Sequence, residues 1–149
     1  MELDETDRQI LRILQEDART PFSEVARRID MSSATVHDRV NRMEEAGVIQ
    51  GYHASVDADA VGYSVSAFVG LRTEQGREEE ALAHLAGLSE VKEVHLTTGQ
   101  WDVMVRVHAE DTDGLRDLMF DHIADTEGFT RSHTMVVLGT DYEADGLPI

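Results

Sequence analysis

The hydrophobic period of this chain changes once along its length. Up to about residue 50 the apolar side chains recur every three or four positions; from Tyr63 to Leu138 they mostly alternate, in short runs set between two further helical stretches. A period near 3.6 gathers residues on one side of a helix, and a period of 2 gathers them on one face of a strand. The pattern therefore predicts an α+β protein with a helical unit in front and a sheet-containing unit behind. The division expected is residues 1–52, a linker over 53–62, and a second domain over 63–149.

In the front half, Leu3, Asp7, Ile10, Leu11, Ile13 and Leu14 fall on one stripe of a first helix over Asp4–Glu16. Asp4 is placed to cap it, with Asp7 three positions on. Pro21 suits the first turn of a second, short helix lined by Phe22, Val25, Ala26 and Ile29. Asp30 tolerates the left-handed conformation of a tight turn. Ser32 can cap a third helix running through Val36, Val40 and Met43 and ending at Gly47. Val48 and Ile49 then read as the start of a short strand or wing. Two helices, a turn of about four residues and an amphipathic third helix describe a helix-turn-helix.

With Val36, Val40 and Met43 turned inward, Ser33, Ala34, Thr35, His37, Asp38, Arg39 and Arg42 face outward or to the flanks. Small and hydroxylated residues at the N-terminal end of such a helix permit close approach to base edges and phosphates. Arg39 and Arg42 add charge one turn apart, and Arg27 and Arg28 sit on the preceding helix, which in this motif crosses the DNA backbone. The predicted DNA contacts are thus Ser33, Ala34, Thr35, His37, Asp38, Arg39 and Arg42, with Arg28 on the phosphates.

A polyanion is an unexpected partner for this chain. It carries 30 Asp and Glu against 13 Lys and Arg, a net charge of −17, and all but one of the basic residues are Arg. Between Arg19 and Glu45, however, five Arg balance five acids, so the helix-turn-helix is a locally neutral island. The remaining acid is spread along the chain, which marks a solvated surface rather than a charged tail. Lysine scarcity with dispersed acid predicts a halophile protein, because at ~1 M salt the Debye length is only about 3 Å and self-repulsion is screened.

The back half reads strand (63–71), helix (76–88), strand (91–99), strand (101–109), helix (111–128) and strand (129–139), with a turn at Gly99-Gln100. The order βαββαβ is that of a ferredoxin-like fold. Its two helices cover one sheet face. Phe68, Met104 and Val137 are then left on the other, so packing of that face against a second copy is expected.

Three segments carry a resemblance to a known family: "LDETDRQILRILQEDAR" at the start, S-x-x-T-V-x-x-R-V-x-R-M-E-x-x-G-V-I from Ser32 to Ile49, and "TTGQWDVMVRV" from Thr97 to Val107. A fourth, "GFTRSHTMVVL", follows from Gly128. Over about residues 3–140 the chain resembles the leucine-responsive/asparagine (Lrp/AsnC) transcriptional regulators. The resemblance implies an N-terminal winged helix-turn-helix and a C-terminal amino-acid-sensing domain. It also implies homodimers that assemble further into octamers, and an amino-acid-like effector held near the turn Thr98, Gly99, Gln100, Trp101 and Asp102. Gly99 and Asp102 match the effector loop, and Thr134 lies on the strand expected to meet it. Gln100 and Trp101 depart from the residues common in the family, and the bulk of Trp101 is expected to narrow the pocket or stack on a ligand.

The absence of cysteine excludes disulfides and thiolate chemistry. Seven scattered histidines form no short metal-ligand pair in sequence, although His95, His108 and His133 could approach one another on the sheet. No phosphate loop or nucleophile elbow is present. No apolar run approaches ~18 residues, and the acidic N-terminus is no secretion signal. The expectation is a cytoplasmic, non-enzymatic, sequence-specific regulator acting on double-stranded DNA, with no metal and no cofactor beyond an amino-acid effector. Two alternatives stand beside it: a siroheme-decarboxylase-like enzyme of related fold, and an effector-independent architectural DNA-binding protein.

Overall fold

A computed structural model describes residues 1–74, 76–124, 126–142 and 146–149. The chain divides into two compact units, one formed by residues 1–54 with 141–149 and the other by residues 55–140.

The first unit is a trihelical bundle. Helix α1 spans Glu5–Glu16, α2 spans Phe22–Arg28 and α3 spans Ser33–Glu45. Asp4 caps α1 through a reciprocal pair: its carboxylate accepts from the Asp7 N–H at 2.8 Å, and the Asp7 carboxylate accepts from the Asp4 N–H at 3.2 Å. Pro21 stands at the N-cap of α2, one position before the first turn. Asp30, at φ +55°, makes the left-handed turn into Ser32, whose hydroxyl accepts from the Thr35 N–H. Ile10, Leu11, Leu14, Val25, Ala26, Val36, Val40 and Met43 form the core.

Two expectations change here. Val48 and Ile49 form no strand: both of their N–H groups donate to the Met43 carbonyl, closing the C-terminus of α3 with Gly47 at φ +69°. An N–H spent on a helix carbonyl is not free for a ladder. The segment 141–149, expected with the second domain, belongs instead to the first unit, where Ile149 packs against the helical core.

The second unit contains β1 (Val65–Thr73), α4 (Glu78–Ala86), β2 (Val91–Leu96), β3 (Val103–Ala109), α5 (Thr112–Asp117) and β4 (Phe129–Val136). The strands form one sheet in the order β2-β3-β1-β4, antiparallel throughout, as the ferredoxin-like reading requires. Asp111 caps α5 by accepting from the Gly114 N–H. This helix does not continue unchanged toward Gly128. It becomes π-helical over Leu118–Ala124, and Asp125, which the expected helix included, lies outside the described residues.

Alternation decides the two sheet faces. Ala67, Val69, Leu71, Val103, Val105, Val107 and Ala109 are buried with Leu85, Leu115, Leu118 and Ile123 under the helices. Phe68, Gly70, Arg72, Met104 and Arg106 have the opposite parity and lie on the outer face with their cross-strand partners Met135, His133 and Arg131. Phe68 and Met135 are each 40% exposed, which leaves an apolar patch there.

Candidate functional site

Helix α3 presents the candidate nucleic-acid interface. Val36, Val40 and Met43 are at most 1% exposed. At 100° per residue, the side opposite them carries Ala34, Asp38, Asn41 and Glu45. Ser33, Ala34, Thr35, His37, Asp38 and Arg42 are exposed, as expected. The Thr35 hydroxyl shares a hydrogen bond with that of Ser32 at 2.8 Å. His37 packs edge-on against Phe22, with ring centroids 5.8 Å apart, and its Nδ1 lies 3.2 Å from the Asn41 Nδ2. Asn41 was absent from the sequence-derived contacts. Its helical position, one turn beyond Asp38, was the signal available.

Arg39 is turned inward. Its Nη1 donates to Asp4 Oδ2 and to Asp7 Oδ1, each at 2.7 Å, and its side chain is 20% exposed. Asp7 is a buried carboxylate, 2% exposed. The hydrogen bond from Arg39, with the Asp7 N–H next, holds the Asp4 carboxyl below its usual range. Those same carboxylates, Asp4 first, raise the Arg39 guanidinium. An arginine committed to two acids on α1 is not presented to a groove, so the expected DNA contact from Arg39 is replaced by a tie between α1 and α3. Arg42 is 58% exposed and lies 3.8 Å from Asp7 Oδ1.

On α2, Arg27 and Arg28 both bond Glu24, at 2.7 and 3.0 Å. Hydrogen bonds from Arg27 and then Arg28 bring the Glu24 carboxyl down to about 2. Arg28 thus reaches outward as a partly neutralised cation.

The second site is the loop between β2 and β3. Thr98, Gly99 and Gln100 are exposed, and Gly99 sits at φ +111°, a conformation costly for any side chain. The Thr97 hydroxyl donates to the Trp101 carbonyl at 2.7 Å. Asp102 extends the sheet: its N–H donates to the Leu71 carbonyl, and its carboxylate accepts from the Thr73 N–H at 3.0 Å and approaches Arg72 at 3.5 Å. The Trp101 indole lies on Gly70 so closely that a Cβ there would stand 2.7 Å from the ring. His133 stacks beside it, 5.7 Å between centroids at 8°, and the Arg131 guanidinium lies 5.7 Å from the indole.

Thr134 is not brought to this loop. It pairs with Val69 on the helix-covered face, and its hydroxyl points at Met119 Sδ, 3.5 Å away. The outer-face neighbours of Trp101 are Gly70, Arg131 and His133 instead. Nor do the three histidines that could have met on the sheet converge: His95 and His133 lie on opposite edge strands, roughly 14 Å apart by strand spacing. Among the described residues, no group of three or more His, Asp or Glu is placed to hold a metal ion. Nor is any described helix long and apolar enough to cross a membrane.

Residues 3–50 match the winged helix-turn-helix DNA-binding family, and residues 66–146 match the Lrp/AsnC ligand-binding domain. The chain is 35% identical over 147 residues to the HTH-type transcriptional regulator FL11 of Pyrococcus horikoshii, covering 99% of this chain and 97% of that one. It is 33% identical over 137 residues to the regulatory protein AsnC of Escherichia coli, covering 91% and 90%. The solved structure of E. coli AsnC superposes with a TM-score of 0.90 at 31% identity, over 96% of this chain and 97% of that one.

Proposed function

Because the chain belongs to the Lrp/AsnC family of DNA-binding transcriptional regulators, we propose that it reads a specific operator with the outward side of α3 and responds to a small amino-acid-like effector. The observation that supports the operator reading is the division of labour on α3. Apolar residues and Arg39 turn inward, while Ser33, Ala34, Thr35, His37, Asp38, Asn41 and Arg42 remain on the outside. Arg28 supplies a backbone contact from α2. Two copies joined through the outer sheet face would cover Phe68 and Met135 and give the two-fold symmetry that a pseudo-palindromic operator mirrors. Such dimers would assemble further, up to an octamer, in the cytoplasm.

The effector is placed at Thr98–Asp102. Gly99 allows close approach to backbone N–H groups for a carboxylate, Asp102 offers an acceptor for an ammonium, and Trp101 gives an apolar wall that favours a small or aliphatic side chain. Since Asp102 also holds the end of β1, the informative variant is Asp102→Asn, which keeps an acceptor for the Thr73 N–H and removes the charge.

Titration of a fluorescent operator duplex, chosen from a random pool by the full chain, tests the operator reading. Arg42→Ala should weaken binding with an unchanged melting curve; unchanged affinity would reject the assigned face. A thermal-shift screen of the twenty amino acids at high salt tests the effector reading. A hit lost in Asp102→Asn supports it, and no hit with operator binding intact leaves an effector-independent regulator.

A further inference from the structure

A carboxylate stands at the centre of the outward side of α3. Asp38 is two residues from Val36 and two from Val40, so it points directly away from the core of the first unit. Its side chain is 81% exposed, and the group nearest to it with any cationic form is the His37 Nδ1 at 3.9 Å. Among the described residues no arginine pairs with it, whereas Asp4, Asp7 and Glu24 in the same unit are all engaged by arginines. Ala34 precedes it and Asn41 follows it on the same stripe, and the one cation at pairing distance along the helix, Arg42 four residues on, is directed at Asp7 Oδ1, 3.8 Å away, rather than at Asp38.

Placed in a major groove, such a group is repelled by the phosphates on both sides and gains only where a base edge offers a donor. Guanine presents N7 and O6, thymine presents O4, and all are acceptors. Adenine has a donor at N6 but an acceptor at N7 beside it, which repels the second carboxylate oxygen. Cytosine alone shows a donor, N4–H₂, with no acceptor on the same edge. We propose that Asp38 is a specificity-determining residue that selects a cytosine once in each operator half-site. Selection is largely by exclusion, because a carboxylate facing an acceptor is left buried and unpaired. This assignment rests on α3 being the groove-facing helix.

The test is selection from a randomised duplex pool with the full-length protein, comparing wild type, Asp38→Ala and Asp38→Asn. Because Asp38 is exposed, both variants should melt as wild type does. Wild type should enrich cytosine at one position per half-site. Asp38→Ala should reduce that preference by roughly 5- to 150-fold, the span of one good base contact, leave the other positions unchanged, and bind random DNA more tightly. Asp38→Asn should move the preference toward adenine, which an amide can bond at N6 and N7. The same selected sequence for wild type and Asp38→Ala would overturn the proposal, as would loss of all DNA binding by a folded Asp38→Ala protein. If wild type itself selects no sequence, the operator reading of α3 fails first, and the cytosine assignment falls with it.

Discussion

Replacing Arg39 by Ala should damage stability before it damages recognition. In the native protein one guanidinium nitrogen serves two carboxylates at 2.7 Å, and one of these belongs to the buried Asp7. After truncation Asp7 keeps the Asp4 N–H at 3.2 Å and the more distant Arg42 at 3.8 Å. Breaking a fully buried ion pair costs about 3–5 kcal/mol, because the remaining charge is stranded. Here Arg39 is partly solvated and Arg42 can swing inward, so a loss of about 2–3 kcal/mol is expected. For a unit of this size each kcal/mol moves the midpoint by about 4–8 °C, so its melting transition should fall by roughly 10–20 °C. Calorimetry on Arg39→Ala, Asp7→Asn and the double variant measures the loss and the coupling together. The two single losses should not add in the double variant. A change below about 0.5 kcal/mol in Arg39→Ala, with operator affinity sharply reduced, would refute the inward tie and restore Arg39 to the DNA-contacting set.

Further outcomes follow from other contacts. Gly70→Ala should lift the sole tryptophan off the sheet and shift its emission, since a Cβ at Gly70 would stand 2.7 Å from the indole; an unchanged spectrum would contradict the packing. Glu24 should titrate near 2 by NMR. Its carboxyl is lowered by Arg27 and Arg28, so its stabilising contribution is present above the ordinary carboxylate range and disappears as pH falls through about 2; titration near 4 would deny those bonds. Because Arg39 is engaged and Arg28 is shared with Glu24, few cations remain for phosphates. The plot of log affinity against log salt should therefore be no steeper than about −4 for a dimer, with operator binding measurable at ~1 M KCl; collapse above ~0.3 M would contradict both the charge count and the halophile reading.

Much of this architecture was legible because its determinants are local. Asp4, Asp7 and Ser32 lie within three residues of the N–H groups they satisfy, and the alternation of Val103, Val105 and Val107 marks a buried strand face. What escaped depends on residues distant in sequence. Arg39 reads as a recognition residue until Asp7, 32 positions away, is brought against it. Thr134 could be placed on a strand but not on a face, because the run from Thr130 to Thr134 is polar on both sides of β4; only pairing with buried Val69 fixes its direction. Val48 and Ile49 are the local exception: they look like strand residues, yet their N–H groups turn back to the Met43 carbonyl just before them. Trp101 could be placed in its loop, but not on Gly70, which lies 31 positions earlier.

Whether the outward side of α3 enters the duplex is read most directly by photocrosslinking from single positions of the full-length protein. Ala34, exposed on that side, is replaced by p-benzoylphenylalanine, and Ser132, exposed on β4, serves as the comparison. With the selected operator bound, irradiation should join DNA to the probe at position 34, at the same bases in each half-site, and leave position 132 unlinked. Crosslinking from position 132 with none from position 34 would place the DNA on the sheet and contradict the assignment of α3.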